Sequence, residues 1–242
     1  MPYNFKERLH EIFADNSLSE YLSGDSAQKF ELLYEIMASA PINITAIKEP
    51  DDVILLHFAD SLTVAPFIAH GARVADIGCG GGFPSFPLAI SRPDLSVVGF
   101  DATSKKIGYV NETSVRMGLA NMRGVSLRVE EGAHDSVFRE SFDFVTARAV
   151  ASLPALCEYC LPYAKVGGLF LAMKSKSGED ELEAAKRAID LLGGELFAVR
   201  DLELVNKSKD ERLFRQIIMI KKIRPTPKNY PRNNSQISKK PL

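Results

Sequence analysis

The chain has 242 residues, 45% apolar and 25% charged, with a formal net charge of −1. That is enough for one sizeable α/β domain with its own core and a small extension. No apolar run approaches the ~18 residues of a membrane span, the segment Met1-Pro2-Tyr3-Asn4-Phe5-Lys6-Glu7 lacks a signal-peptide profile, and three cysteines, an odd number, argue against a disulfide framework. The expected compartment is the cytoplasm.

Residues 5–40 carry helical periodicity, with Leu9, Ile12 and Phe13, then Phe30, Leu33, Tyr34 and Met37, and Pro41 ends the stretch. Asp51 and Asp52 open a further helix that runs through Val53-Ile54-Leu55-Leu56 to Val64. From residue 72 short apolar runs alternate with helical patterns. The predicted strands are Val74–Ile77, Ser96–Asp101, Leu127–Val129, Phe142–Ala147, Leu169–Met173, Leu196–Leu204 and Leu213–Ile220. The predicted helices between them include Lys105–Met117, Leu153–Tyr163 and Glu179–Leu192. Such alternation predicts a mostly parallel seven-stranded sheet with helices on both faces. The expected organisation is a helical extension over 1–65 packed on a core domain over 66–222, followed by a tail over 223–242. From Lys221 onward there are seven basic residues (Lys221, Lys222, Arg224, Lys228, Arg232, Lys239, Lys240) and no acidic one, so residues 1–220 hold 23 basic and 31 acidic side chains, a net of −8. With four prolines among Asn, Ser and Lys, residues 223–242 read as a flexible basic tail.

The stretch Val74-Ala75-Asp76-Ile77-Gly78-Cys79-Gly80-Gly81-Gly82-Phe83-Pro84 places four glycines in five positions behind the first predicted strand. In a doubly wound sheet ligands bind at the carboxyl ends of the strands, and glycine lets backbone approach them closely. The dinucleotide fingerprint G-x-G-x-x-G fails in both registers, since its third glycine falls on Phe83 or Ser85. The pattern Asp76-x-Gly78-x-Gly80-x-Gly82 instead resembles the first motif of methyltransferases that use S-adenosyl-L-methionine. A carboxylate suits that cofactor's sulfonium and ammonium charges. A second acid, accepting the ribose hydroxyls, is expected at the end of the next strand, about 20 residues on. Asp101 ends Ser96–Asp101, 21 residues after Gly80.

Further motifs resemble one family. They are Asn43-Ile44-Thr45-Ala46-Ile47, His57-Phe58-Ala59-Asp60-Ser61-Leu62, Gly82-Phe83-Pro84 with Pro87-Leu88-Ala89-Ile90, Asp101 with Ser104-Lys105-Lys106, Arg128-Val129-Glu130-Glu131, Thr146-Ala147-Arg148-Ala149-Val150, and Gly167-Gly168 leading to Ala172-Met173-Lys174. Over roughly residues 40–222 the chain is similar to the 16S ribosomal RNA guanine-N7 methyltransferases, also called glucose-inhibited division protein B. The resemblance implies a class I, Rossmann-like methyltransferase fold, S-adenosyl-L-methionine as cofactor, and 16S rRNA of the small ribosomal subunit as partner. It implies that Gly78, Gly80 and Phe83 line the cofactor, that Val129 and Glu130 flank the adenine, and that Arg148 sits beside the reacting methyl and the incoming base. Asp101 is expected at the ribose. Departures are the absence of tryptophan, Ser85 where glycine is usual, and Cys79 where Ser or Thr is common.

Guanine N7 carries a lone pair and no proton, so methylation there needs alignment rather than a general base. The Asn/Asp-Pro-Pro-aromatic motif of exocyclic-amine methyltransferases is absent from Thr146-Ala147-Arg148-Ala149. An arginine can hold the O6 edge of guanine or a phosphate. The basic tail either contacts RNA through counterion release or only solubilises. Cys157-Glu158-Tyr159-Cys160 lies in a helical pattern without a second ligand pair, which predicts buried thiols and no metal. His57, Asp60 and Ser61 share a helical face, read as a structural cluster, with RNA contact as the alternative. Lys174, ending the fifth strand, approaches the RNA backbone or caps the sheet edge. Nothing demands more than a monomer. Two rival readings stand: a small-molecule methyltransferase, and a non-catalytic cofactor- and RNA-binding assembly protein.

Overall fold

The computed structural model describes residues 3–148, 150–175 and 178–242, and only the backbone of 178–180. Met1 and Pro2 of the N-terminal segment and Ala149 of the Thr146–Val150 motif lie outside the described residues. Helices α1 (Phe5–Asp15) and α2 (Ser26–Ala38) come first. A helical run over 50–62 follows, formed by α3 (Pro50–Val53), a π-helical stretch (Ile54–Ala59) and α4 (Asp60–Leu62). Pro50 and two aspartates in the first turn suit a helix start.

The core then alternates: β1 (Arg73–Ile77), α5 (Ser85–Ser91), β2 (Ser96–Asp101), α6 (Ser104–Arg116), β3 (Met122–Ser126), α7 (Val129–Gly132), β4 (Phe142–Arg148), α8 (Leu153–Cys160), β5 (Ala164–Lys174), α9 (Gly178–Leu191), β6 (Gly194–Asn206) and β7 (Glu211–Lys222). The seven strands form one sheet in the order β3-β2-β1-β4-β5-β7-β6. All pairs are parallel except β5–β7 and β6–β7. Strand order reverses between β1 and β4, so a crevice opens at their carboxyl ends. One expectation is corrected: Leu127–Val129 is not a strand. The amide of Leu127 still bonds the Asp101 carbonyl at 3.2 Å, and then Val129 opens a helical turn with Glu130 and Glu131 at its start.

Side chains alternate between two cores because a strand repeats every second residue. Val74, Val97, Phe144 and Leu171 join a core with the N-terminal helices, including Phe13, Phe30 and Phe58. Ala75, Val98, Val145 and Phe170 face the other core, with α8 and α9. The N-terminal extension therefore shares a core with the sheet rather than owning one.

Residues 223–242 correct the reading of a flexible tail. They cross the α8 face and end in α10 (Asn234–Lys239), whose Ile237 is fully buried. Arg139 donates to the carbonyls of Thr226, Pro227 and Tyr230. Arg232 pairs at 2.6 Å with Glu158, a fully buried carboxylate. The Lys222 ammonium is also buried, bonded to the Leu161 carbonyl at 2.8 Å and to Thr226 Oγ1, and burial pulls it down to about 8. Composition marked this segment as polar; partners far away in sequence hold it.

Candidate functional site

The glycine loop follows β1, whose residues 74–77 are all buried, as a central parallel strand requires. Gly78 has φ +73°, a conformation that suits glycine, and a Cβ there would stand 2.6 Å from Cγ2 of Val150. A Cβ on Gly81 would stand 2.3 Å from Cγ2 of Ile44, so the Asn43–Ile47 motif packs directly on this loop. Asp76 is fully buried beneath it and does not border either cavity described below. Its Oδ2 accepts from the Ser85 amide at 3.2 Å and the Ser85 hydroxyl at 2.5 Å, which pins the loop to the start of α5. The unusual Ser85 thus supplies a hydroxyl donor to a buried acid. Burial pushes Asp76 up to about 6, against the Ser85 bonds and the pull of Arg148.

Asp101, at the end of β2, accepts from the Gly80 amide at 3.1 Å and the Thr103 amide at 2.7 Å. Beside it lies a cavity of ≈ 330 Å³, bordered by Gly78, Asp101, Val129 and Glu130 among others. Four of the sequence-predicted residues therefore meet in one place, and Gly80 is tied to them through its amide bond to Asp101. The expected cofactor fits this lining: a carboxylate stands at a strand end, backbone without side chains faces it, and the volume lies within the range of small-molecule sites. Tyr159, Asn234 and Ser238 also border the cavity. Nothing in the local sequence pointed to the last two, since they come from the segment that looked unstructured.

Phe83 and Arg148 lie on the other side of the loop. Phe83 is buried, stacks on His57 with centroids 4.6 Å apart, and has the Arg148 guanidinium 5.7 Å from its ring centre. β1 and β4 pair through Asp76 and Thr146, so Gly78 and Arg148 both stand two residues beyond that pair. Arg148 borders a second cavity of ≈ 460 Å³, together with His57, Asp60, Lys174, Glu181 and Arg215.

Arg148 Nη1 donates to the Leu56 carbonyl at 2.8 Å and to Asp60 Oδ2 at 3.3 Å, while Arg215 Nε donates to Asp60 Oδ1 at 2.9 Å. Asp60 therefore holds two guanidiniums at once. Burial lowers the Arg148 guanidinium from its ordinary value, and Asp60 and Asp76 oppose that. His57 Nε2 lies 2.7 Å from Thr45 Oγ1, and burial with the Arg148 charge lowers its imidazole to about 4. His57 is therefore neutral at pH 7. The Ser61 hydroxyl donates to the His57 carbonyl. Two separated sequence motifs, around Thr45 and around His57, thus form one wall. Of their residues, the sequence reading left Asp60 as structural and gave no role to Arg215. Lys174 pairs with Glu181 at 2.6 Å and donates to the Ala151 carbonyl. Cys157 and Cys160 are buried free thiols within α8, pushed up by burial.

The family model for rRNA small subunit methyltransferase G matches residues 26–210. Curated relatives named ribosomal RNA small subunit methyltransferase G include one from Clostridium novyi, 41% identical over 203 residues and spanning 83% of this chain and 82% of that one. Another, from Lactobacillus delbrueckii subsp. bulgaricus, is 38% identical over 241 residues, 96% of this chain and 99% of that one. The chain belongs to the rRNA small subunit methyltransferase G family. Its activity is that of an S-adenosylmethionine-dependent rRNA methyltransferase. Solved structures share the fold. The 16S rRNA (adenine(1408)-N(1))-methyltransferase of Catenulisporales acidiphilia superposes with a TM-score of 0.52 at 15% identity, over 64% of this chain and 89% of that one. M. jannaschii TYW2, solved in complex with AdoMet, gives 0.53 at 15% identity over 69% and 76%. The mostly parallel seven-stranded sheet flanked by helices is the architecture that the resemblance implies. Among the described residues, no helix is long and apolar enough to cross a membrane.

Proposed function

We propose that this chain transfers a methyl group from S-adenosyl-L-methionine to N7 of a guanine in 16S rRNA, acting on the small ribosomal subunit. The observation that carries the reading is a pair of cavities at the neighbouring ends of β1 and β4, with Gly78 bordering one and Arg148 the other. When bound, the cofactor supplies an electrophilic methyl carbon on a cationic sulfur, and a lone pair is all that is needed to accept it. In the first cavity Asp101 would accept from the ribose hydroxyls, Val129 and Glu130 would flank the adenine, and the Gly78 backbone would admit the methionine end, with Gly80 held beside it by Asp101.

In the second cavity the residues hold a base without deprotonating it. Arg148, fixed by Leu56 and Asp60, has five N–H donors, more than those two contacts consume. It holds the O6 edge or a flanking phosphate. His57 is neutral and stacked, so its part is to set the Phe83 ring rather than to move a proton. Three cations (Arg148, Lys174, Arg215) against two carboxylates (Asp60, Glu181) line this cavity, an excess of one positive charge that favours a polyanion. On this reading the chain is a monomer and its reaction is cytoplasmic, where small ribosomal subunits are found.

The test uses methyl-labelled cofactor and small ribosomal subunits from cells lacking this gene. Label at a single guanine, mapped by borohydride and aniline cleavage that reports 7-methylguanine, is the expected result. Label that resists this cleavage sinks the N7 assignment. Cofactor binding without any label sinks the catalytic reading.

A further inference from the structure

The C-terminal segment is bound to the same cavity that the preceding reading gives to the cofactor. α10 is held down by Ile237, which is fully buried, and by Arg232 on buried Glu158. Asn234 and Ser238 stand one turn apart, on one helix face, and both border the cavity beside Asp101 and Glu130. Tyr159 donates to Asn234 Oδ1 at 2.6 Å, and the Ser238 hydroxyl donates to the same oxygen at 3.3 Å. The amide is thereby oriented: its oxygen is engaged twice, and its Nδ2 group remains a donor by chemistry. Ser238 Oγ, having given its hydrogen to Asn234, retains acceptor capacity. The wall therefore offers one donor and one acceptor side by side.

We infer that the C-terminal segment is the base-reading wall of the cofactor cavity, with Asn234 donating to adenine N1 and Ser238 accepting from its N6 amino group. This rests on the assignment of that cavity to S-adenosylmethionine. Adenine presents an acceptor at N1 and a donor at N6; hypoxanthine inverts both, with a hydrogen on N1 and a carbonyl at C6. A wall of this polarity rejects the hypoxanthine form because its own groups are then left unpaired. Docking of the segment and occupancy of the cavity support each other by reciprocity.

The experiment measures, by titration calorimetry on the full chain, affinities for S-adenosylhomocysteine and for its hypoxanthine counterpart, S-inosylhomocysteine. Wild type is expected to prefer the adenine form by about tenfold or more. Asn234→Ala and Ser238→Ala, both at exposed positions, should bring the ratio towards one while the melting temperature stays put. Arg232→Ala, which unlatches the segment and leaves buried Glu158 unpaired, should also bring the ratio towards one, with a lower melting temperature. Asp101→Ala should weaken both ligands and keep the ratio. If wild type does not discriminate, or Asn234→Ala and Ser238→Ala keep the wild-type ratio, the inference is overturned. In that case a loss of affinity in Asp101→Ala leaves the cavity assignment standing, and unchanged affinity there removes that assignment too.

Discussion

The two cavities on either side of the glycine loop are built by different means. The one beside Asp101 is largely backbone and strand ends: Gly78, a carboxylate tied to two amides, and the turn at Val129 and Glu130. The one around Arg148 is a lattice of charged side chains, in which Asp60 bonds Arg148 and Arg215 from positions 88 and 155 residues apart in the chain. A cavity framed by strand ends and turns keeps its shape when one lining side chain is lost, and loses only that side chain's contact. A cavity shaped by mutual ion pairs loses its geometry when one member goes. Binding without chemistry, and chemistry without much binding, should therefore separate by mutation.

The sharpest break is Arg148→Ala. Turnover on small subunits should fall by about 10²–10³, with cofactor affinity close to wild type. Comparable losses in both would put Arg148 in the cofactor cavity and erase the contrast. Next is Asp60→Ala, which leaves two partly buried guanidiniums without their shared anion. It should cost about 2–3 kcal/mol in urea denaturation, below the range for fully buried pairs because Arg148 and Arg215 retain some exposure. A loss near zero would mean that the lattice does not hold its shape through Asp60.

Asp101→Ala should weaken cofactor binding about tenfold, measured calorimetrically, while turnover at saturating cofactor changes little. Unchanged affinity would remove Asp101 from the ribose. The smallest effect is a pH slope from the wall of the Arg148 cavity. His57 is held below its ordinary value, to about 4, so the unfolded chain binds its proton first as pH falls. Its stabilising contribution is complete above the ordinary imidazole value, near 6.5, and is lost as pH drops towards 4. Asp76, raised to about 6, runs the other way: its contribution is present below 3.8 and lost as pH rises through 6. Comparing wild type with His57→Gln between pH 4 and 7 isolates the first slope, of order 1 kcal/mol after allowance for partial exposure. Parallel melting curves across that range would show that His57 titrates normally in the folded chain.

Local pattern made some of this legible before any fold was known. The alternation of short apolar runs with helical periods specified the sheet class, because burial on both faces writes itself into each strand. Ser96–Asp101 was placed residue for residue, and Asp101 was singled out because a strand end and its spacing from the loop are local quantities. Leu127–Val129 reads as strand in sequence but turns into a helix start, since three residues cannot report that the ladder has run out. The motifs around Thr45 and His57 were visible as a resemblance, but not as neighbours.

By itself, then, the sequence determined the class of fold, the glycine loop, the acid at the end of β2 and the arginine at the end of β4. The fold class is written in the alternation of apolar runs and helical periods, the loop and the acid in strand ends and their spacing, and the arginine in the family resemblance. Only the tertiary structure decided that Asp76 locks the loop through Ser85, that Asp60 yokes Arg148 to Arg215, and that a polar, proline-rich end is folded against α8. Each of those depends on which distant group removes a buried charge from isolation. Glu158 within α8 and Arg232, 74 residues later, show the reason: neither has a local signature, and each is stable where it lies because the other is there.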